Sequence, residues 1–128
     1  MARFRTDSLV FFYSNVEAAK QWWISTFDCK AMKVPPDWDN PLPSDIALRL
    51  PGYSEPTILL SDRSEAEQAG IGQLSTVAPI IFCDKISKAQ EWFSAHGVMA
   101  GPMQEDSETQ FFEIRDVEGN IIEICKEP

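Results

Sequence analysis

An α+β fold of two tandem βαβββ modules is what the sequence predicts, on three observations. Apolar runs of strand length alternate with two amphipathic helical patterns. The two helical patterns superimpose when shifted by seventy positions, so that Val16, Ala19, Trp22 and Trp23 fall on Ile86, Ala89, Trp92 and Phe93. Stretches rich in proline, glycine and polar residues separate the apolar runs. The 128 residues suit a single domain of two modules, about 5–62 and 75–126, joined by a polar connector over 62–74.

In the first module, SLVFFYS (8–14) is apolar and aromatic and reads as a buried strand. NVEAAKQWWISTF (15–27) follows as a helix, with Val16, Ala19, Trp23 and Phe27 on its apolar stripe. Asn15 is its N-cap, and Glu17 complements the helix dipole in the first turn. Residues 28–34 read as a second strand. PPDWDNPLPSD (35–45) carries four prolines and reads as a loop. IALRL (46–50) and TILLS (57–61) are strands around the turn PGYSEP (51–56). DRSEAEQAGIGQ (62–73) reads as a connector with one helical turn.

The second module restarts the pattern. APIIFCD (78–84) is a strand, and KISKAQEWFSAHG (85–97) a helix closed by Gly97 at C′. VMAGPM (98–103) reads as a short strand, 104–110 as a polar loop, and FFEIR (111–115) and IIEIC (121–125) as strands about the turn DVEGN.

Eleven basic and twenty acidic side chains give a net charge of −9. Such a surface repels nucleic-acid phosphates and anionic lipid, and no apolar run reaches the ~18–20 residues of a membrane helix. Neither nucleic acid nor membrane is expected as a partner. Cys29, Cys83 and Cys125 are odd in number and form no CxxC, so three reduced thiols in the cytoplasm are expected. MARFRTDS has no apolar stretch of the kind a secretory leader carries. The lone His96 rules out a histidine-rich metal site, and no glycine-rich phosphate loop occurs. His96, near its helix end, reads as a cation answering the dipole. Trp22, Trp23, Trp92 and Phe93 read as core, and SEAEQ (64–68) as a solvated face.

FFEIRDVEGNIIEI (111–124) resembles the closing hairpin F-x-D-P-D-G-N-x-I-E-L of the vicinal oxygen chelate superfamily, which includes glyoxalase I, bleomycin-resistance proteins, fosfomycin-resistance enzymes and extradiol dioxygenases. SNVEAAKQWW (14–23) is similar to its opening helix. The resemblance implies a curved, cup-like mixed sheet with helices on the outside. It also implies metal ligands at positions that here hold Ser8, Leu59, Ala78 and Glu123. Only Glu123 keeps the expected ligand type, and a catalytic divalent ion needs about three protein ligands. No cofactor is therefore expected, and a divalent metal is the weaker alternative.

In that fold, strand alternation puts Ser8, Val10, Phe12, Ala78, Ile80, Phe82, Ile121, Glu123 and Cys125 in the cup. This lining suits a small organic ligand. Trp38, in the proline-rich loop, is a candidate lid. With the turn at 116–120, Glu113 falls opposite Glu123, and the two carboxylates repel unless a cation intervenes. They could serve acid–base chemistry or grip a ligand cation. Equally, Glu113 could point to solvent or be answered by Arg115 or Lys126, and a register slip of one residue would remove the pairing.

Two functions follow from the resemblance, with an accessory or regulatory module that only dimerises as a weaker third. One is metal-independent binding of a cationic or aromatic ligand, as in the bleomycin-resistance branch. The other is a glyoxalase-like lyase or dioxygenase with a non-standard metal site around Glu123. Two-module chains of this kind also lead to an expected homodimer.

Overall fold

The computed structural model describes residues 2–38, 41–70 and 78–128. These residues fall into two compact units, one of 7–70 and one of 2–6 with 78–128. In chain order the elements are β1 (Phe4–Arg5), β2 (Leu9–Tyr13), α1 (Val16–Phe27), β3 (Lys30–Met32), β4 (Ile46–Arg49), β5 (Ile58–Asp62), α2 (Arg63–Gln68), β6 (Ile80–Cys83), α3 (Ile86–Ala95), β7 (Gln104–Glu105), β8 (Gln110–Arg115) and β9 (Ile121–Lys126).

Each unit has its own mixed sheet. The first has the order β2-β5-β4-β3, and the second β1-β6-β9-β8-β7. The module's first strand pairs parallel to its last, β2 with β5 and β6 with β9, and the other pairings are antiparallel. The order first–fourth–third–second is thus repeated in the two sheets.

Alternation along the strands gives each sheet one helix-covered face. In the first unit Phe11, Tyr13, Leu48, Ile58 and Leu60 are buried together with Trp23 and Phe27 of α1. The Trp23 ring stacks on Phe27 at 4.8 Å and lies 5.0 Å from Phe11. Its indole N–H donates to the Tyr13 hydroxyl at 3.0 Å, so the two polar groups of this cluster answer each other. In the second unit Phe93 of α3 meets Phe112 edge-on at 6.0 Å and Phe4 at 5.5 Å, over buried Ile81, Ile114, Ile122 and Ile124.

The helix ends follow sequence logic. Asn15 caps α1, its side-chain oxygen accepting from the Ala18 amide at 3.0 Å. α3 ends in a Schellman motif, with Gly97 at φ 73°, its amide on the Ser94 carbonyl and the Val98 amide on that of Phe93. His96 instead stacks on Trp92 with ring centroids 3.7 Å apart, and its Nδ1 donates to the Trp92 carbonyl at 2.8 Å. Trp22 and Trp92 are half-buried, so of the four expected core aromatics only Trp23 and Phe93 are sealed.

Three expectations need correction. The strand expected over 98–103 does not form. Ala100 makes an isolated bridge to Ile114, and pairing resumes as β7 inside the expected loop, because Gly101 and Pro102 interrupt the ladder. The connector begins with six residues of helix, capped by Asp62 accepting from the Glu65 amide, and the rest of it lies largely outside the described residues. Finally, β1 adds a fifth strand to the second sheet. It is short, and its residues Phe4 and Arg5 show no strand pattern of their own.

Candidate functional site

The closing hairpin decides the geometry. Asp116 opens its turn and accepts from the amides of Glu118 and Asn120 and from the Asn120 side chain. Gly119 takes φ 83°, and its amide donates to the Asp116 carbonyl. Asp and Gly supply the local hydrogen bonds and left-handed backbone this turn requires. The turn pins the register, and the register sets Glu113 directly opposite Glu123.

Glu123 also pairs with Ile80 across the parallel edge, so Ile80, Glu123 and Glu113 form one transverse row on the face turned away from α3. The next row runs Arg5, Phe82, Cys125, Phe111 and Gln104. On the other side of the acid pair lie Ile121 and Arg115. The second module's far face therefore carries two carboxylates next to Ile80, Ile121, Phe82 and Phe111, with Arg5, Gln104 and Arg115 at its margins.

No side-chain cation answers the two carboxylates among the described residues. Arg115 turns away and donates to the Gly119 carbonyl at 2.9 Å. Lys126 falls on the other face of β9 by alternation. Arg5 is engaged with Glu127 at 3.2 Å and lies over the Phe82 ring at 5.1 Å. Glu113 is exposed and Glu123 half-buried. Burial first, and the Glu113 charge second, push the Glu123 carboxyl above its ordinary value.

The other candidates are placed as follows. Ile121 and Phe82 are half-buried and Ile80 is exposed, all on this far face. Val10 and Phe12 lie on the far face of the first sheet, where Val10, Leu59, Ala47 and Met32 make the row equivalent to Ile80, Glu123 and Glu113. Ser8 and Ala78 do not lie in strands. They precede β2 and β6, Ser8 exposed and Ala78 half-buried, because proline at 79 and a polar turn before 9 delay the ladders. Trp38 is half-buried in a turn closed by its amide on the Pro35 carbonyl. That loop's far end is tied down, with Ser61 donating to Asp45 at 2.8 Å and Ser44 to Glu65. Glu65 is thus a loop anchor as well as part of the polar run.

Sequence reasoning passed over Phe111 and Arg5. Phe111 was legible, since it shares parity with Glu113. Arg5 was not, because β1 carries too few residues to signal a strand.

No protein-family profile matches the sequence, and no curated protein matches it. Solved structures do match along nearly the whole chain. An integron cassette protein from the mobile metagenome of Halifax Harbour sewage outfall aligns with TM-score 0.72 at 11% identity, covering 96% of this chain and 98% of that one. Lactoylglutathione lyase from Agrobacterium tumefaciens aligns at 0.68 and 14%, covering 95% and 92%. TioX from Micromonospora sp. ML1 aligns at 0.63 and 15%, covering 97% of each chain. The fold is of the vicinal oxygen chelate type.

The donor set does not fit the divalent ion that the vicinal oxygen chelate fold often holds. Leu59 and Ala78 carry no donor atom, which leaves a serine hydroxyl and the Glu123 carboxylate at the four positions. Of the described residues, no helix is long and apolar enough to cross a membrane.

Proposed function

We propose that the chain binds a small organic cation on the far face of its second module, without a metal. One observation carries this reading. Glu113 and Glu123 stand directly opposite each other, with no side-chain cation paired to them among the described residues, in a setting of Ile80, Phe82, Phe111 and Ile121. Like charges opposite each other destabilise a sheet by a few tenths to about 1 kcal/mol, and a bound cation turns that repulsion into attraction. The apolar neighbours supply the burial, and the carboxylates fix orientation. The net charge of −9 favours approach of cations and disfavours anions.

The test is calorimetric titration with butylamine and with its neutral counterpart butanol, on the native chain and on Glu123→Gln. Amine binding lost by ten-fold or more in Glu123→Gln, with butanol inert throughout, is the expected result. Equal binding of both compounds overturns the reading.

A second reading has one observation in its favour, the carboxylate at the superfamily's closing-strand position. It is a glyoxalase-like lyase or a dioxygenase with a rebuilt metal site around Glu123. Metal content by plasma mass spectrometry separates the two. Near-stoichiometric nickel, zinc, iron or manganese that disappears in Glu123→Gln would establish the second. The binding reading also includes residence in the cytoplasm, from the three unpaired thiols, and self-association, which light scattering measures.

A further inference from the structure

We propose that the ligand of this face is an arylalkyl amine, whose flat ring sits between Phe82 and Phe111 over Cys125 while its ammonium reaches the acid pair. The inference rests on the cation-binding reading and adds the body of the ligand.

The register of the second sheet carries it. Phe82 and Phe111 are the two lateral partners of Cys125, one on each side, and all three point away from α3. Neighbouring strands lie about 4.8 Å apart, so the two phenylalanine positions are roughly 10 Å apart. Between them the floor is a small thiol. Aromatic rings interact at centroid distances of about 4.5–7 Å, so a ring resting midway, at ~5 Å from each wall, contacts both. All three residues are half-buried.

The Phe82 wall is braced. The Arg5 guanidinium lies over the Phe82 ring at 5.1 Å and is itself held by Glu127 at 3.2 Å. On the floor, the Thr109 hydroxyl lies 3.6 Å from the Cys125 sulfur.

The spacing then selects the ligand. The Phe82–Cys125–Phe111 row and the Glu123–Glu113 row are two residues apart along the strands, or about 7 Å. A ring joined to an ammonium by a linker of about two or three atoms spans that distance. A bare alkylamine satisfies the carboxylates and leaves the ring position unfilled.

The experiment compares phenethylamine with butylamine by calorimetry, on the native chain, on Cys125→Phe, which fills the floor, and on Phe111→Leu, which removes one wall. The native chain is expected to bind phenethylamine at least ten-fold tighter. That ratio is expected to fall to near one in Cys125→Phe and by several-fold in Phe111→Leu. Thermal melts identify a variant that has failed to fold, and the other variant then decides. A native ratio near one, or a ratio unchanged in the folded variants, overturns the ring position while leaving the cation reading standing. Failure of both amines to bind the native chain overturns both.

Discussion

Glu123 is the residue at which charge and burial conflict. Its folded-state affinity for a proton is raised above that in the unfolded chain. The folded state therefore binds this proton more tightly, and the group's contribution to stability falls as pH rises from the ordinary carboxylate value through the raised one. Glu123→Gln should consequently be more stable relative to the native chain at pH 7 than at pH 3, as chemical denaturation at the two pH values will show. Glu113→Gln should stabilise by about 0.2–1 kcal/mol at neutral pH through lost cross-strand repulsion, and should return the Glu123 titration towards normal in carbon-detected NMR. Tyr13 poses the converse case. It is fully buried and accepts the Trp23 indole N–H. Tyr13→Phe leaves that donor unpaired and should cost about 1–3 kcal/mol, measured by denaturant unfolding. The acid pairing was legible in the sequence because a five-residue turn with Asp and Gly leaves little freedom in register. The fate of Arg115 was not, because which acceptor a long guanidinium side chain takes across its own hairpin turn is rotamer geometry that residue pattern does not encode.

Among the elements, the two helices show what duplication keeps and what drifts. Asn15 and Lys85 occupy equivalent positions seventy apart, yet only Asn15 makes a side-chain cap. Asn15→Ala should cost about 1 kcal/mol, and Lys85→Asn should gain a similar amount, both read from thermal melts. The helices were legible because 3.6-residue periodicity persists over three turns. β1 and β7 were not, because strands of two residues have no period, and their pairing is imposed by the neighbouring strands. β1 is nonetheless well anchored. Phe4 is buried against Phe93, and Arg3 and Asp84 exchange two hydrogen bonds. Phe4→Ala should destabilise by about 3–5 kcal/mol, with hydrogen exchange accelerating first in β6.

For the whole molecule, one topology is used twice and charged once. The row that holds Glu123 and Glu113 in the second sheet holds Leu59 and Ala47 in the first. Fold and repeat were readable because they rest on apolar pattern. The division into two sheets, each with its own far face, required the pairings themselves. The cysteines report on both units. Burial pushes the thiols of Cys29 and Cys83 up to about 12, while Cys125 is half-buried on the second module's far face. Iodoacetamide at pH 8 should therefore label Cys125 in the native protein. Cys29 and Cys83 should react only on unfolding, as peptide mass spectrometry will resolve.

Because β1 is completed by β6, the second sheet is closed by a segment that precedes the whole first unit in sequence. During synthesis at about 5–20 residues per second, Phe4 and Arg5 must wait roughly 4–15 s for Ile80–Cys83 to emerge. Phe4 spends that interval exposed on the ribosome, within reach of chaperones and of neighbouring nascent chains, and a slow-translating message lengthens the risk.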